Sequence, residues 1–416
     1  MLLLKLKCSN FFLFNDFTLD FTYPRKLKSE ITENDEIFPG SKIKVRKHII
    51  IMGANASGKT TLGYFLCLIY NYLIARGDGT DDDLKRSVNR PDFPASFTVE
   101  FSIQKTAYRL SATFDKDGLI NESLTQIPIL DSYNISKLRH CLDITTPEKY
   151  IRDEKQEEIA PGFSSYLLRL KRNEEILNHF RKNIQFWFAL SAFNDDPIGQ
   201  SGLTHIDIPL ISKLLPILDN SIEDIVSLVP KRPPIIPIKK DIVSESVASL
   251  YETPDKTYAI YFKNGQSEIV PKGDISKITK ERLSQGTMEA VSFSTVLSYL
   301  KNADHSTVFV DECLTHMHSD LEKYLIWISF LMKKESSQLF FTTHNIGVCD
   351  LRLPTNSFLF LKREKSGTNT ALWANSRLKK DDRNFRNYYE NDYFNVLPDY
   401  DDLASILDDT REENHD

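Results

Sequence analysis

The segment Gly53-Ala54-Asn55-Ala56-Ser57-Gly58-Lys59-Thr60 follows the apolar run His48-Ile49-Ile50-Ile51-Met52 and fits G-x-x-x-x-G-K-[ST]. No other stretch constrains the fold as tightly. Such a loop must sit between a buried strand and the first turn of a helix, because its backbone N–H groups have to converge on one anion. An α/β core follows, with a strand over 48–52 and a helix from Lys59 onward. The same pattern predicts a nucleoside triphosphate site. Gly53, Ala54, Asn55, Ala56, Ser57 and Gly58 would wrap the phosphates, with Thr61 closing the segment. Lys59 is expected at the β- and γ-phosphates and Thr60 as a ligand of Mg²⁺.

Downstream, Thr307-Val308-Phe309-Val310-Asp311-Glu312 is a β-branched and aromatic run ending in two carboxylates. At a strand tip Asp311 is suited to hold Mg²⁺, and Glu312 to orient or deprotonate the attacking water. Runs ending in Asp-Glu are common, so the next strand matters. Gln338-Leu339-Phe340-Phe341-Thr342-Thr343 ends at His344-Asn345, where a histidine can touch the γ-phosphate and register its loss. A single histidine is more often a packed or surface residue, and the spacing from Asp311-Glu312 favours function. Leu283-Ser284-Gln285-Gly286-Thr287 opens an apolar helical stretch from Met288 to Leu300. Ser284, Gly286 and Thr287 either present N–H and hydroxyl groups to an anion or form a plain helix cap.

In this order the motifs resemble an ABC-type ATPase of the branch that contains RecF, the SMC proteins and the overcoming-lysogeny nucleases. Ser284-Gln285-Gly286-Thr287 suits the Ser-x-Gly-Thr of that branch and departs from the transporters' Leu-Ser-Gly-Gly-Gln, which disfavours a transporter ATPase. Asn10-Phe11 and Phe17-Thr18-Leu19-Asp20-Phe21 resemble its two-strand opening, and Asp311 to His318 its Asp-Glu-x-x-x-x-Leu-His, with Met317 for Leu. Phe358 to Gly367 and Asn387 to Pro398 resemble the late hairpin and closing motif of AAA-labelled single-chain ATPases from bacterial anti-phage loci such as PARIS. Asn391 or Asp392, and Asn395, stand where glycines are usual. Phe188-Ala189-Leu190-Ser191-Ala192-Phe193-Asn194 is similar to the segment that supplies the Q-loop, but without its glutamine. Asn194 is one substitute, and Gln185 and Gln200 flank the place.

The resemblance implies ATP and Mg²⁺ as cofactors and an ATP-sandwich dimer, or a higher homo-oligomer. In it Ser284, Gly286 and Thr287 of one protomer cover the γ-phosphate held by Lys59 of the other. Glu312, His344 and Lys59 are the implied catalytic residues. It further implies a sensor or scaffold subunit that controls a separately encoded toxin or nuclease effector. The alternative it leaves open is a RecF- or SMC-like repair ATPase that clamps duplex DNA.

Composition sets limits. A net charge of −6 gives no global drive toward nucleic acid or an acidic membrane. Cys8, Cys67, Cys141, Cys313 and Cys349 form no CxxC pair, which reads as reduced thiols in the cytoplasm and argues against a zinc hook. Leu62 to Ala75, broken by Asn71, is too short to span a bilayer, and Met1-Leu2-Leu3-Leu4-Lys5 reads as a strand rather than a leader. His316, His318 and Asp320 read as dimer contacts rather than a metal site, and Gly77 to Asp83 as an acidic loop. Lys42, Lys44, Arg46 and Lys47 read as an exposed strand face. Arg169, Lys171, Arg172, Arg181 and Lys182 read as a solvated helix, with phosphate-backbone binding the minority reading.

The expected layout is an ATPase head with a β-rich N-terminal lobe and an inserted helical arm or lid. Residues 1–130 carry the P-loop and a β-subdomain, 131–275 the arm and its return connector, and 276–416 the signature, Asp311-Glu312 and the switch histidine. Pro230 to Pro237 is a stiff connector, and Tyr258 to Phe262 begins a returning hairpin.

Overall fold

The computed structural model describes residues 1–23, 35–76, 80–152, 162–169, 174–190, 208–227, 258–270, 284–351, 353–378 and 385–397. Leu170, Lys171, Arg172, Ser191 to Asn194, Gln200, Pro230 to Pro237, Leu283 and Pro398 lie outside these residues.

The chain begins with the antiparallel strands β1 (Leu2–Ser9) and β2 (Phe17–Asp20), then β3 (Thr22–Tyr23) and β4 (Lys44–Val45), which pair with each other. β5 (His48–Met52) runs into the P-loop and α1 (Lys59–Leu73), and α2 (Thr80–Arg86) follows. The acidic run Asp81-Asp82-Asp83 is the first turn of α2 rather than a loop, a placement that suits the helix dipole. Next come β6 (Ala95–Ile103), β7 (Thr106–Asp115) and β8 (Gly118–Pro128), the first two forming the hairpin expected from their period-two alternation. With β9 (Glu148–Ile151) they complete a six-stranded antiparallel sheet in the order β2-β1-β6-β7-β8-β9.

Between and beyond these strands lie α3 (Ile135–Ile144), α4 (Tyr166–Arg169), α5 (Glu174–Asn183), β10 (Gln185–Leu190), α6 (Ile208–Leu218) and β11 (Ile222–Ser227). β12 (Tyr258–Phe262) and β13 (Ser267–Val270) form the returning hairpin and join β11 in a three-stranded sheet. The helix α7 (Gln285–Asn302) leads to β14 (Ser306–Asp311), α8 (Ser319–Met332) and β15 (Gln338–Thr342). Closing the described chain are β16 (Phe358–Arg363), β17 (Asn369–Trp373), α9 (Ala374–Arg377) and α10 (Phe385–Glu390).

A second six-stranded sheet, ordered β10-β14-β15-β5-β16-β17, is parallel except for β17. Its central strands are buried end to end, as parallel strands covered on both faces must be. Alternate residues serve different cores. Ile49, Ile51, Phe309 and Phe340 pack with α1 and the antiparallel sheet, while Ile50, Met52, Val308, Val310 and Phe341 pack under α7 and α8.

Several expectations change here. The stretch expected as a helical arm contains β10, which pairs with β14 along its whole length inside the ATPase sheet. Leu177 and Phe180 of α5 are buried in the first core. Arg181 of α5 donates through Nε to Ile74 O (3.0 Å) and Arg169 of α4 pairs with Asp81 (3.2 Å), so both arginines bond back to the protein while remaining solvent-exposed. Periodicity alone could not separate a short buried strand from neighbouring helices. Arg46 and Lys47 are buried, not on an exposed strand face, while Lys42 is exposed. In the closing motif the left-handed residues are Asp392 (φ 50°) and Asn395 (φ 57°), the places that glycine would otherwise fill. Asp392 Oδ1 accepts from the N–H of Val396 (2.7 Å) and Leu397 (3.0 Å), seating Phe394 against Phe360.

Candidate active site

The P-loop connects the buried end of β5 to α1. A side chain at Gly53 would collide with the carbonyl of Leu361 on β16. Gly58 has φ 93°, and a Cβ there would strike Asn369 of β17. Gly58 is also the N-cap of α1, which has no side-chain cap and no acidic residue in its first turn. The positive end of a 15-residue helix is thus left to an anion from outside. Ser57 Oγ is buried without a hydrogen-bond partner. These features fit a phosphate group.

Lys59 Nζ donates to the carbonyls of Gly53 (3.0 Å) and Ala54 (3.3 Å) and lies 3.7 Å from Glu312 Oε1. Burial lowers its pKa, and the nearby Glu312 and Asp311 work against that shift. Thr60 Oγ1 donates to Asp311 Oδ2 (2.7 Å), and Thr342 Oγ1 donates to Asp311 Oδ1 (2.7 Å). Burial raises the pKa of Asp311 despite these two bonds. A divalent cation at Thr60 and Asp311 would offset that unfavourable burial of charge, so the donor set, a hydroxyl and a carboxylate, fits Mg²⁺. Among the described residues no group of three His, Cys, Asp or Glu side chains converges as a metal site, so His316, His318 and Asp320 do not form one.

Glu312 follows Asp311 with a left-handed backbone, φ 48°, a conformation costing about 1–3 kcal/mol and kept only where the surroundings hold it. Its N–H donates to Thr342 Oγ1 (3.0 Å). Its Oε1 lies 2.8 Å from His344 Nε2. The hydrogen bond from His344, with the charges of His344 and Lys59, holds Glu312 below its ordinary pKa in spite of partial burial. Glu312 is therefore a carboxylate at neutral pH, as a water-orienting base must be.

The strand order explains why these groups meet. β15 lies between β5 and β14, so its tip, Thr342 to His344, stands between the P-loop and the Asp311-Glu312 pair. His344 is steadied from α8, where Glu322 accepts from Thr343 Oγ1 (2.5 Å) and Asn345 Nδ2 (2.9 Å). Ser284 is exposed at the start of α7, and its Oγ accepts from Thr287 N (3.0 Å). Thr287 is buried and bonds Asp219, so it is a cap partner within the chain. Gln185, which flanks the Q-loop segment, pairs with Ser306 at the start of β14, the end away from Asp311.

Sequence reasoning missed Thr342, Asn369, Glu322 and Glu289. Thr342 stands beside the predicted His344 and was findable as the hydroxyl at a strand tip. The others are set by tertiary contact and leave no local signal.

The family described as "AAA domain, putative AbiEii toxin, Type IV TA system" matches residues 49–350, well over half of the chain. The chain belongs to this family. With its fold, that makes it an α/β P-loop protein of the AAA/ABC ATPase type. Among solved structures it is similar to an SMC head bound to the C-winged helix domain of ScpA, at 13% identity and TM-score 0.41, covering 91% of this chain and 100% of the other. It is similar to the SMC head domain from Thermotoga maritima, at 12% identity and TM-score 0.38, covering 89% and 98%. The recombination mediator protein RecF matches at 11% identity and TM-score 0.39, covering 89% and 98%. No curated protein matches. No described helix of this AAA-family chain is long and apolar enough to cross a membrane.

Proposed function

We propose that the chain binds and hydrolyses ATP and acts as the sensor or scaffold subunit of a bacterial anti-phage system, controlling a separately encoded toxin or nuclease. The observation that supports hydrolysis is the Glu312 carboxylate 3.7 Å from Lys59 and 2.8 Å from His344, next to an Asp311 that accepts from Thr60. What supports the defence role is membership of a family whose description names a type IV toxin–antitoxin system.

In this reading the N–H groups at the start of α1 and Lys59 hold the phosphates, and Thr60 and Asp311 hold Mg²⁺. The ion would supply charge neutralisation at the β- and γ-oxygens. Glu312 orients the attacking water and accepts its proton, and His344 follows the γ-phosphate. Ser284 and Gly286 of a second protomer cover that phosphate, so ATP joins two copies and hydrolysis releases them.

The test is the mass in solution of wild type and Glu312→Gln, with and without Mg-ATP, after purification together with the products of neighbouring genes. An ATP-dependent assembly carrying a neighbour-encoded protein is expected. A lone chain that dimerises with ATP and then retains duplex DNA in a salt-sensitive way would replace this reading with a repair clamp.

A further inference from the structure

We propose that Glu289 is a positioning residue for Glu312, tying the helix capped by Ser284 to the turn that follows the catalytic carboxylate. The proposal rests on the hydrolytic reading above. Glu289 lies on α7, five residues after Ser284, and is fully buried. A buried carboxylate is unfavourable unless its oxygens are bonded, and breaking such a set leaves an uncompensated charge. The bonds of Glu289 lead to the turn after Glu312. Oε2 accepts from the backbone N–H of His316 (2.9 Å), and Oε1 accepts from Thr315 Oγ1 (3.2 Å) and lies 2.6 Å from His316 Nδ1. Gly286 faces the same turn, where a Cβ would sit 3.5 Å from His316 O.

The second observation is the left-handed backbone of Glu312. A non-glycine residue stays there only where its surroundings hold it. Thr342 fixes the N-terminal side by accepting the N–H of Glu312. Glu289 fixes the C-terminal side by accepting the N–H of His316, four residues on. A phosphate or second protomer that engages Ser284 or Gly286 and turns α7 therefore moves Glu289, the turn and the carboxylate of Glu312 together. The competing role, a carboxylate that only fills the core, predicts lost stability with unchanged chemistry per folded molecule.

The experiment uses the full chain: steady-state ATP turnover, affinity for a fluorescent ATP analogue, and thermal melting for wild type, Glu289→Ala, Glu289→Gln and His316→Ala. Glu289→Ala is expected to lower kcat on the order of 10²-fold, the effect of a misplacement of about 1 Å, with KM and analogue affinity within about threefold. Glu289→Gln keeps an acceptor for the N–H of His316 and should recover most of the rate. His316→Ala keeps that N–H and should lose less than Glu289→Ala. Should Glu289→Ala fail to fold, a smaller kcat loss of the same kind in the other two carries the test. Active wild type with kcat unchanged in every folded variant overturns this proposal alone. Wild type that binds the analogue but never turns over ATP overturns the hydrolytic reading and this proposal with it.

Discussion

The two ends of β5 both bury charge and treat it in opposite ways. At the C-terminal end, Lys59 rests on two loop carbonyls and faces Glu312, whose side chain is 33% exposed. At the N-terminal end, the guanidinium of Arg46 donates to the carbonyls of Asn356, Asp20 and Thr22 and to Asn375 Oδ1, and stacks 4.1 Å above the Trp373 ring. Lys47 beside it donates to Glu36 O (2.7 Å), and Lys333 to Lys334 O (3.0 Å). Burial drives His48 down to about 4, so it stays neutral near its Asp35 neighbour. One end keeps its charges where a substrate can exchange for their partners; the other holds its cations mainly on backbone carbonyls. Basic residues next to a phosphate-binding strand are thus no sign of an anion site by themselves.

Four experiments sharpen or break that contrast. Glu312→Gln should lower kcat by ~10²–10⁴-fold and leave the melting temperature nearly unchanged, since it alters chemistry and little packing. A comparable loss of stability would mean that the site end is structural too. Arg46→Ala should do the reverse, costing roughly 3 kcal/mol in urea unfolding by stranding several buried carbonyls, with ATP affinity per folded molecule within about twofold. A selective loss of ATP affinity would break the distinction. Thr342→Val removes the hydroxyl shared by Asp311 and the N–H of Glu312. It should lower turnover by roughly 30-fold, about 2 kcal/mol, and measuring this at several Mg²⁺ concentrations separates metal affinity from the Glu312 position.

The smallest effect is one of pH. Burial brings Lys333 down to about 7 and Lys47 to about 8. Between those values and about 10.4 the unfolded chain holds protons that the folded chain lacks, so stability should rise with pH, by up to ~1.4 kcal/mol per unit for each proton. Below about 7 the Lys333 contribution to the slope vanishes. Lys333→Met should flatten the rise in stability between pH 7 and 9 measured by urea unfolding; an unchanged slope would show that Lys333 is protonated in the fold.

The legible parts of the molecule are those where one local pattern has one structural solution. The fully buried runs of β5 and β14, the alternation of β6 and β7, and the P-loop spacing each produced an element where expected. Lys59, Thr60, Asp311, Glu312 and His344 come together as their motifs imply. Ser284 keeps both readings, because a helix cap is what the chain itself shows of it. What stayed hidden depends on partners distant in sequence. β10 is a short run between helices whose place is decided by pairing with β14 more than a hundred residues later. Arg46 reads as a surface cation until its acceptors, two of them from residues beyond 350, are assembled around it. Asn369 against Gly58 and Glu289 against His316 belong to the same class.

The position of β15 has a mechanical consequence. Hydrogen-bonded to β5 on one side and β14 on the other, it welds the three tips at the site into one stiff plate. Sliding any of them by a residue would break a ladder and turn every side chain to the wrong face. In the proposed ATPase cycle, work extracted from the nucleotide then has no route through relative strand motion. It has to leave at the rim, through parts clamped to the plate by side chains, and the direction of the stroke is set by how those clamps are oriented.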